Sequence, residues 1–435
     1  MTIEHVHVKE HLGIVTSDTS TTQFSFYLTP LKDRISVRKN DYVTIDHPVL
    51  GETSPILAEI KEINNYEKAV DSTFSEKAIE MVATCDIIGT VDLRQPKTKI
   101  LETLLSPPEV GTKVYLPYYE FLEDTFTRDQ KGKQYQNPLH IGTMQTFATT
   151  KNGDKQNPHF YINDHDFLQQ HFLVSGQTGT GKTHTATILV EELANKTTMP
   201  LVILDSHGEY STVGFKGKDS PKKYLFDFKL SIYASKPKKV HNTLKSAEVK
   251  LEPKNRLSIK SIPDQWTDSD KKNIEYVGKK LEESIRSNRI TILDAEGLSL
   301  EEKREFFTVC IQSLMKSRIK ERGKPLLLIV EEAKTVDNEA MQRIASEGRK
   351  LGISLCLLTQ NPSELNGRVL SQMGTQILGR TTNPEDLECL KKMALEKVLD
   401  LPKLATGEWI INGITLRRPT KLIVRDRYSA KNQHP

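Results

Sequence analysis

Apolar residues recur along this chain in two different rhythms. Up to about residue 150 they come in short stretches, at Phe24–Leu28, Tyr42–Ile45, Ile56–Ile60, Met81–Thr90 and Lys113–Leu116, set apart by Asp, Asn, Pro and Gly. Short strands punctuated by turn residues predict a small β-rich domain of barrel type over 1–148. A plain scaffold or an oligomerisation module is the simplest role for it. From residue 159 the rhythm changes. Near-continuous apolar runs at 171–175, 200–205, 290–294, 325–330, 353–358 and 374–379 alternate with helical segments around 182–195, 300–320, 335–350 and 384–398. Strands buried on both faces and separated by helices predict a parallel α/β sheet, the core spanning 159–426. The polar stretch Thr149–Pro158 links the two domains. Residues 211–288 interrupt the core with abundant lysine and weak periodicity, an insertion of helices and loops. Within it 271–288 reads as helix and 215–240 as loop or a short hairpin. A tail, 427–435, closes the chain.

The strongest chemical signal follows the first core strand. Phe172, Leu173 and Val174 run into Gly176, Gln177, Thr178, Gly179, Thr180, Gly181, Lys182 and Thr183, with His184 next on the emerging helix. Glycines at these spacings let successive backbone N–H groups curl around a polyphosphate, and the helix N-terminus adds a positive field. This is the pattern of a Walker A loop and implies ATP. Lys182 is expected to reach the β- and γ-phosphates and Thr183 to ligate Mg²⁺.

Hydrolysis needs acid at a neighbouring strand end. The run Leu326–Val330 ends in Glu331 and Glu332. Glu331 is expected to support the Mg²⁺ shell and Glu332 to orient the attacking water, the bland alternative being a helix-starting acidic pair. The run ending at Asp205 brings another carboxylate toward Mg²⁺ or the phosphate loop. After it come His207, which could touch nucleotide, a neighbouring subunit or only the core, and Glu209 beyond the turn at Gly208. Gln360, at the end of the strand ISLCLLTQ, is expected to contact the γ-phosphate or the water. Ring ATPases supply an arginine across the subunit boundary. Arg380 is the first choice for it and Arg349 the second.

Composition narrows the class more than it names a partner. The chain has 435 residues, 27% charged and 37% hydrophobic, with a formal net charge of +4, too little to establish nucleic-acid binding. No apolar stretch is long enough for a membrane helix and the amino terminus lacks a signal-peptide pattern, so a cytoplasmic protein without membrane insertion is expected. Cys85, Cys310, Cys356 and Cys389 are dispersed, which argues against disulfide or zinc frameworks. Residues 391–435 carry ten Lys or Arg against four acidic residues, chiefly Arg417, Arg418, Lys421, Arg425, Arg427 and Lys431. That balance fits a DNA- or partner-facing surface, or equally a solvated basic tail.

Taken in order, HFLVSGQTGTGKT, LVILDSHGEY, LLLIVEEAK, EGRKLGISLCLLTQNPSEL and LSQMGTQILGRTTNPED resemble the HerA family of hexameric DNA-translocating ATPases, within the HerA–FtsK group. The terminal GEWIINGITLRRPTKLIVRDR resembles the family's closing β segment, and Ile141–Gly142 falls where its barrel approaches the ATPase core. The likeness is best over 135–426. Lys334 stands where the family often has His, and Glu331 replaces Asp. The resemblance implies a homohexamer with a barrel resting on a RecA-like ATPase ring, and double-stranded DNA in the central channel. It also implies a NurA-like nuclease as partner, working alongside the double-strand-break repair nuclease complex in end resection. Relatives in antiviral defence, and peripheral motors of conjugation or secretion systems, share the fold and are the competing readings.

Overall fold

The computed structural model of the chain describes residues 6–29, 37–69, 77–93, 99–100, 104–128, 133–146, 148–150, 152, 154–222, 224, 226, 228–249, 257–320, 323–393, 397–413 and 418–431. They form two compact units. One takes in 1–138 and 142–161, the other 139–141 and 162–435.

The first unit is a closed six-stranded barrel. Gln23–Leu28 pairs with His7–Thr19, then in turn come Lys113–Pro117, Tyr42–His47, Gly51–Ala69 and Lys77–Asp92, and the last returns to Gln23–Leu28. Closure leaves no open edge among these strands. Alternate residues point inward, so Phe24, Phe26, Val43, Ile45, Ile56, Ala58, Ile60, Ala83 and Cys85 fill one core. All five predicted stretches lie in these strands, whereas the first strand, His7–Thr19, carried no recognisable signal. Its register shifts between His11 and Gly13 and again between Val15 and Thr19. The buried Leu12 and Val15 are therefore three apart, and the two-residue period is lost. Gly13 is forced by contact: a Cβ there would stand 1.8 Å from the Tyr27 carbonyl oxygen.

The second unit is an α/β sheet. Its strand order is Thr420–Val424, Glu408–Gly413, Met373–Leu378, His171–Ser175, Ile353–Thr359, Leu326–Glu331, Leu201–Asp205, Ile290–Asp294, Leu230–Ala234, Leu257–Ser261. From Met373–Leu378 onward every pairing is parallel. The two carboxy-terminal strands add in antiparallel fashion. Helices Lys271–Ser287, Leu300–Lys320 and Asn338–Glu347 cover one face, where Leu173, Val202, Leu204, Leu328, Val330, Leu355 and Leu357 join Phe306, Phe307, Leu314 and Ile344 in one core. At about 25 cal/mol per Å² of apolar surface, this contact is the main source of the unit's stability.

The insertion holds the expected helix, Lys271–Ser287, capped by Asp270, whose carboxylate accepts from Lys272 N. It also contributes two strands, Leu230–Ala234 and Leu257–Ser261, that extend the parallel sheet beyond Ile290–Asp294. The short hairpin considered for 215–240 is absent from the described residues. LSIYA and LSIKS are five-residue runs among lysines, too short for periodicity to separate them from loop.

Candidate functional site

Parallel strands bring their carboxyl ends to one edge, where ligands of α/β sheets bind. The strand His171–Ser175 lies between Met373–Leu378 and Ile353–Thr359, followed by Leu326–Glu331 and Leu201–Asp205. The loop from Gly176, the residues Gln360, Glu331 and Glu332, and the turn after Asp205 therefore emerge together. One strand stands between the phosphate loop and the acidic pair, and it is the one that ends at Gln360.

The loop is shaped by its glycines and by its own polar groups. Gly181 enters the helix Lys182–Lys196 at φ +96°, a conformation that side-chain-bearing residues rarely adopt. A Cβ on Gly176 would meet Thr180 Oγ1 at 2.8 Å and Gly379 Cα at 3.2 Å. Lys182 Nζ donates to the carbonyls of Gly176 (2.8 Å) and Gln177 (3.1 Å), closing the ring from inside. Thr178 Oγ1 donates to Gln360 Oε1 at 2.7 Å, so the amide touches the loop directly. Gln177 N donates to the Arg380 carbonyl at 2.9 Å, and the Gln177 side chain reaches Thr382.

Thr183 Oγ1 donates to Glu331 Oε1 at 3.3 Å. Glu331 is buried, and burial, with Asp205 and Glu209 nearby, pushes its carboxyl well above the usual carboxylate range. A hydroxyl and a carboxylate facing each other suit a hard cation such as Mg²⁺, whose charge would relieve this crowding. Asp205 lies beside Glu331, yet its oxygens already serve its own turn. Oδ1 accepts from the backbone of His207, Gly208 and Glu209 at 2.8–3.2 Å, and Oδ2 from Tyr210 N at 3.0 Å. Ser206 N then donates to Glu331 Oε2 at 3.1 Å, which fixes the two strand ends to each other.

Glu332 differs from its neighbour. It has a left-handed backbone, φ 55° and ψ 87°, and its Oε1 lies 3.5 Å from His207 Nε2. The His207 contact holds its carboxyl below the usual range, and Glu332 in turn raises the imidazole. The edge thus carries one carboxyl that burial pushes up and one that its histidine neighbour holds down.

The arginines separate. Arg380 is exposed at the carboxyl edge, while Arg349 is exposed in the short helix Gly348–Leu351, before the strand Ile353–Thr359 and so at the opposite edge. Arg349 is therefore not brought to the phosphate loop of its own chain.

Two features of this unit escaped the sequence reading. His171 is fully buried. Its Nε2 donates to the Ala345 carbonyl at 3.0 Å and its Nδ1 accepts from Leu355 N at 2.9 Å. Burial pushes the imidazole down to about 4. The second is an ionic clamp under the phosphate-loop helix. Glu191 and Glu192, both buried, receive the Arg425 guanidinium at 2.9–3.2 Å, and Glu191 also accepts from Tyr428 N and Ser429 N. Arg427 bonds Thr212 Oγ1 and the Ala430 carbonyl. His184, expected at the nucleotide, donates its Nε2 proton to the Arg425 carbonyl at 3.0 Å. Arg425 and Arg427 are therefore interior struts, not the exposed basic surface their sequence suggested. The available clue was an acidic pair set inside an apolar helix, TILVEELA.

Comparison with known proteins agrees with this geometry. The family model described as "Helicase HerA, central domain" matches residues 139–347. A "Probable helicase" of Methanocaldococcus jannaschii is 26% identical over 86% of this chain and 84% of its own length. The "DNA double-strand break repair helicase HerA" of Pyrococcus furiosus is 21% identical over 95% and 91% respectively. The "Probable DNA double-strand break repair helicase HerA" of M. jannaschii is 23% identical over 93% of both. With its phosphate loop, acidic strand end and the strand before Gln360 in the order described, the chain is similar to HerA-type helicases, its residues 139–347 matching their central domain.

Proposed function

We propose that the chain hydrolyses ATP with Mg²⁺ at this edge and, as a homohexamer, converts the hydrolysis into movement along double-stranded DNA. In that role it would deliver DNA ends to a NurA-like nuclease, alongside the double-strand-break repair nuclease complex. The observation that carries the reading is the meeting of Lys182, Thr183, Glu331, Glu332 and Gln360 at the carboxyl ends of three neighbouring strands. The names of the relatives, three of them helicases, supply the DNA.

In the mechanism, the amides of 176–181 and the Lys182 ammonium hold the polyphosphate, replacing the carbonyls that Lys182 now bonds. Thr183 and Glu331 are the residues that would hold Mg²⁺, with Asp205 setting the Glu331 carboxylate through their shared turn. Bound there, the cation offsets charge on the transferring phosphoryl group. Glu332 orients a water whose oxygen attacks the γ-phosphorus as the bond to the ADP oxygen breaks. Gln360, already bonded to Thr178, registers the loss of the γ-phosphate. Arg380 or Arg349 of a neighbouring subunit completes the charge compensation, which makes turnover depend on assembly. Movement that grips phosphate alone is independent of sequence.

The test is ATP turnover with and without linear duplex DNA, with solution mass recorded. Turnover that rises with DNA, in a particle six times the mass of the 49.4 kDa chain, is expected. A monomer indifferent to DNA would overturn the motor.

A further inference from the structure

The carboxylate that should orient water is engaged elsewhere in this structure. Glu332 Oε1 lies 3.5 Å from His207 Nε2 and 3.9 Å from Lys334 Nζ. Its backbone occupies the left-handed region, which non-glycine residues rarely hold unless their surroundings impose it. His207 is itself anchored. Its backbone N–H bonds Asp205 Oδ1 at 3.2 Å, and the Ser206 carbonyl before it receives Lys303 Nζ at 2.7 Å. About half of the His207 side chain is exposed (48%), and 57% of Lys334.

We propose that His207, assisted by Lys334, latches Glu332 away from the attacking water, and that hydrolysis requires this latch to open. The proposal rests on the reading of Glu332 given above and adds a positioning role for His207. An imidazole nitrogen and an ammonium both face the same oxygen, Oε1, and draw it toward themselves, so it is the oxygen that the latch keeps from a water. Two routes lead to the latch. Ser206 N bonds Glu331 Oε2, so whatever draws on Glu331 acts on the turn that carries His207. From outside, the phosphate backbone of duplex DNA competes with Glu332 for two exposed nitrogen donors. The latch thus gives DNA a means of setting the rate of ATP hydrolysis without touching the nucleotide.

The experiment compares kcat and KM for ATP, with and without linear duplex DNA, in the full-length protein and in His207→Ala, His207→Asn, Glu332→Gln and the His207→Ala/Glu332→Gln pair. Opening the latch in His207→Ala should raise DNA-free kcat about fivefold or more with little change in KM, and shrink the stimulation by DNA. His207→Asn, whose amide can still donate to the carboxylate, should return both toward the parent values. The double variant should be as inactive as Glu332→Gln alone. A DNA-free kcat that falls or stays level in His207→Ala, while Glu332→Gln collapses, overturns the latch and leaves the function standing. Full turnover in Glu332→Gln removes the base assignment and the latch with it. Turnover indifferent to DNA in the parent contradicts the motor, and the DNA-free rate of His207→Ala still decides the latch.

Discussion

The barrel and the α/β sheet hide their strand backbones in opposite ways, and the difference decides where chemistry can sit. The barrel closes on itself, so each strand turns one side to a packed interior and the other outward. Polar residues can stand anywhere along its strands. In the centre of the parallel sheet, each of His171–Ser175, Leu201–Asp205, Ile290–Asp294, Leu326–Glu331 and Ile353–Thr359 is buried along its whole length. Carboxylates stand there only at strand ends, and the phosphate loop, Asp205, Glu331, Glu332 and Gln360 all gather at the same edge. A strand that must be apolar along its length concentrates its chemistry where it stops.

The largest expected effect bears on that division. Lys182→Ala should lower ATP turnover by about 10²–10³-fold, the usual scale for losing one group that stabilises transition-state charge. Tyr119→Phe removes a hydroxyl of the first unit, at the start of its helix Tyr119–Phe126, bonded to Glu123 and His159, and should leave steady-state turnover unchanged. If it does not, the first unit takes part in the chemistry. Next in size is Arg425→Ala. Leaving Glu191 and Glu192 buried without their cation should cost about 3–5 kcal/mol, seen in denaturant unfolding as an early transition of the α/β unit only. Gly13→Ala should do the reverse. The clash with the Tyr27 carbonyl should destabilise the barrel by about 1–3 kcal/mol, with ATP affinity intact.

The smallest effect near neutrality concerns His171. Its folded pKa, about 4, lies below the ordinary value of 6.5, so the folded state favours the neutral ring. The stability it contributes is complete above about pH 6.5 and is lost as pH falls through about 4. His171→Gln should flatten this part of the pH–stability curve. An unchanged slope between pH 6.5 and 4 would show that His171 titrates in the folded state as it does unfolded.

How far all this could be read beforehand follows from the same contrast. The runs ending at Ser175, Asp205 and Glu331 were legible because burial on both faces writes itself as consecutive apolar residues, and a carboxylate after such a run is conspicuous. The phosphate loop was legible because its backbone shape demands glycines at fixed spacing. His7–Thr19 was hidden by bulges that break alternation, and Leu230–Ala234 by brevity. The clamp of Arg425 on Glu191 and Glu192 joins residues more than 230 positions apart, so each charge read alone as surface. The left-handed backbone of Glu332 is imposed by its surroundings and leaves no mark in its own residue type.

The most direct test of the central claim, that Glu332 orients the attacking water at this edge, is a paired measurement on Glu332→Gln. ATP affinity and single-turnover hydrolysis would be followed in the presence of Mg²⁺. The account predicts ATP bound as tightly as by the parent chain and not hydrolysed, since Lys182 and the loop remain while the water loses its acceptor. Hydrolysis at the parent rate would contradict it and move the catalytic base to another residue.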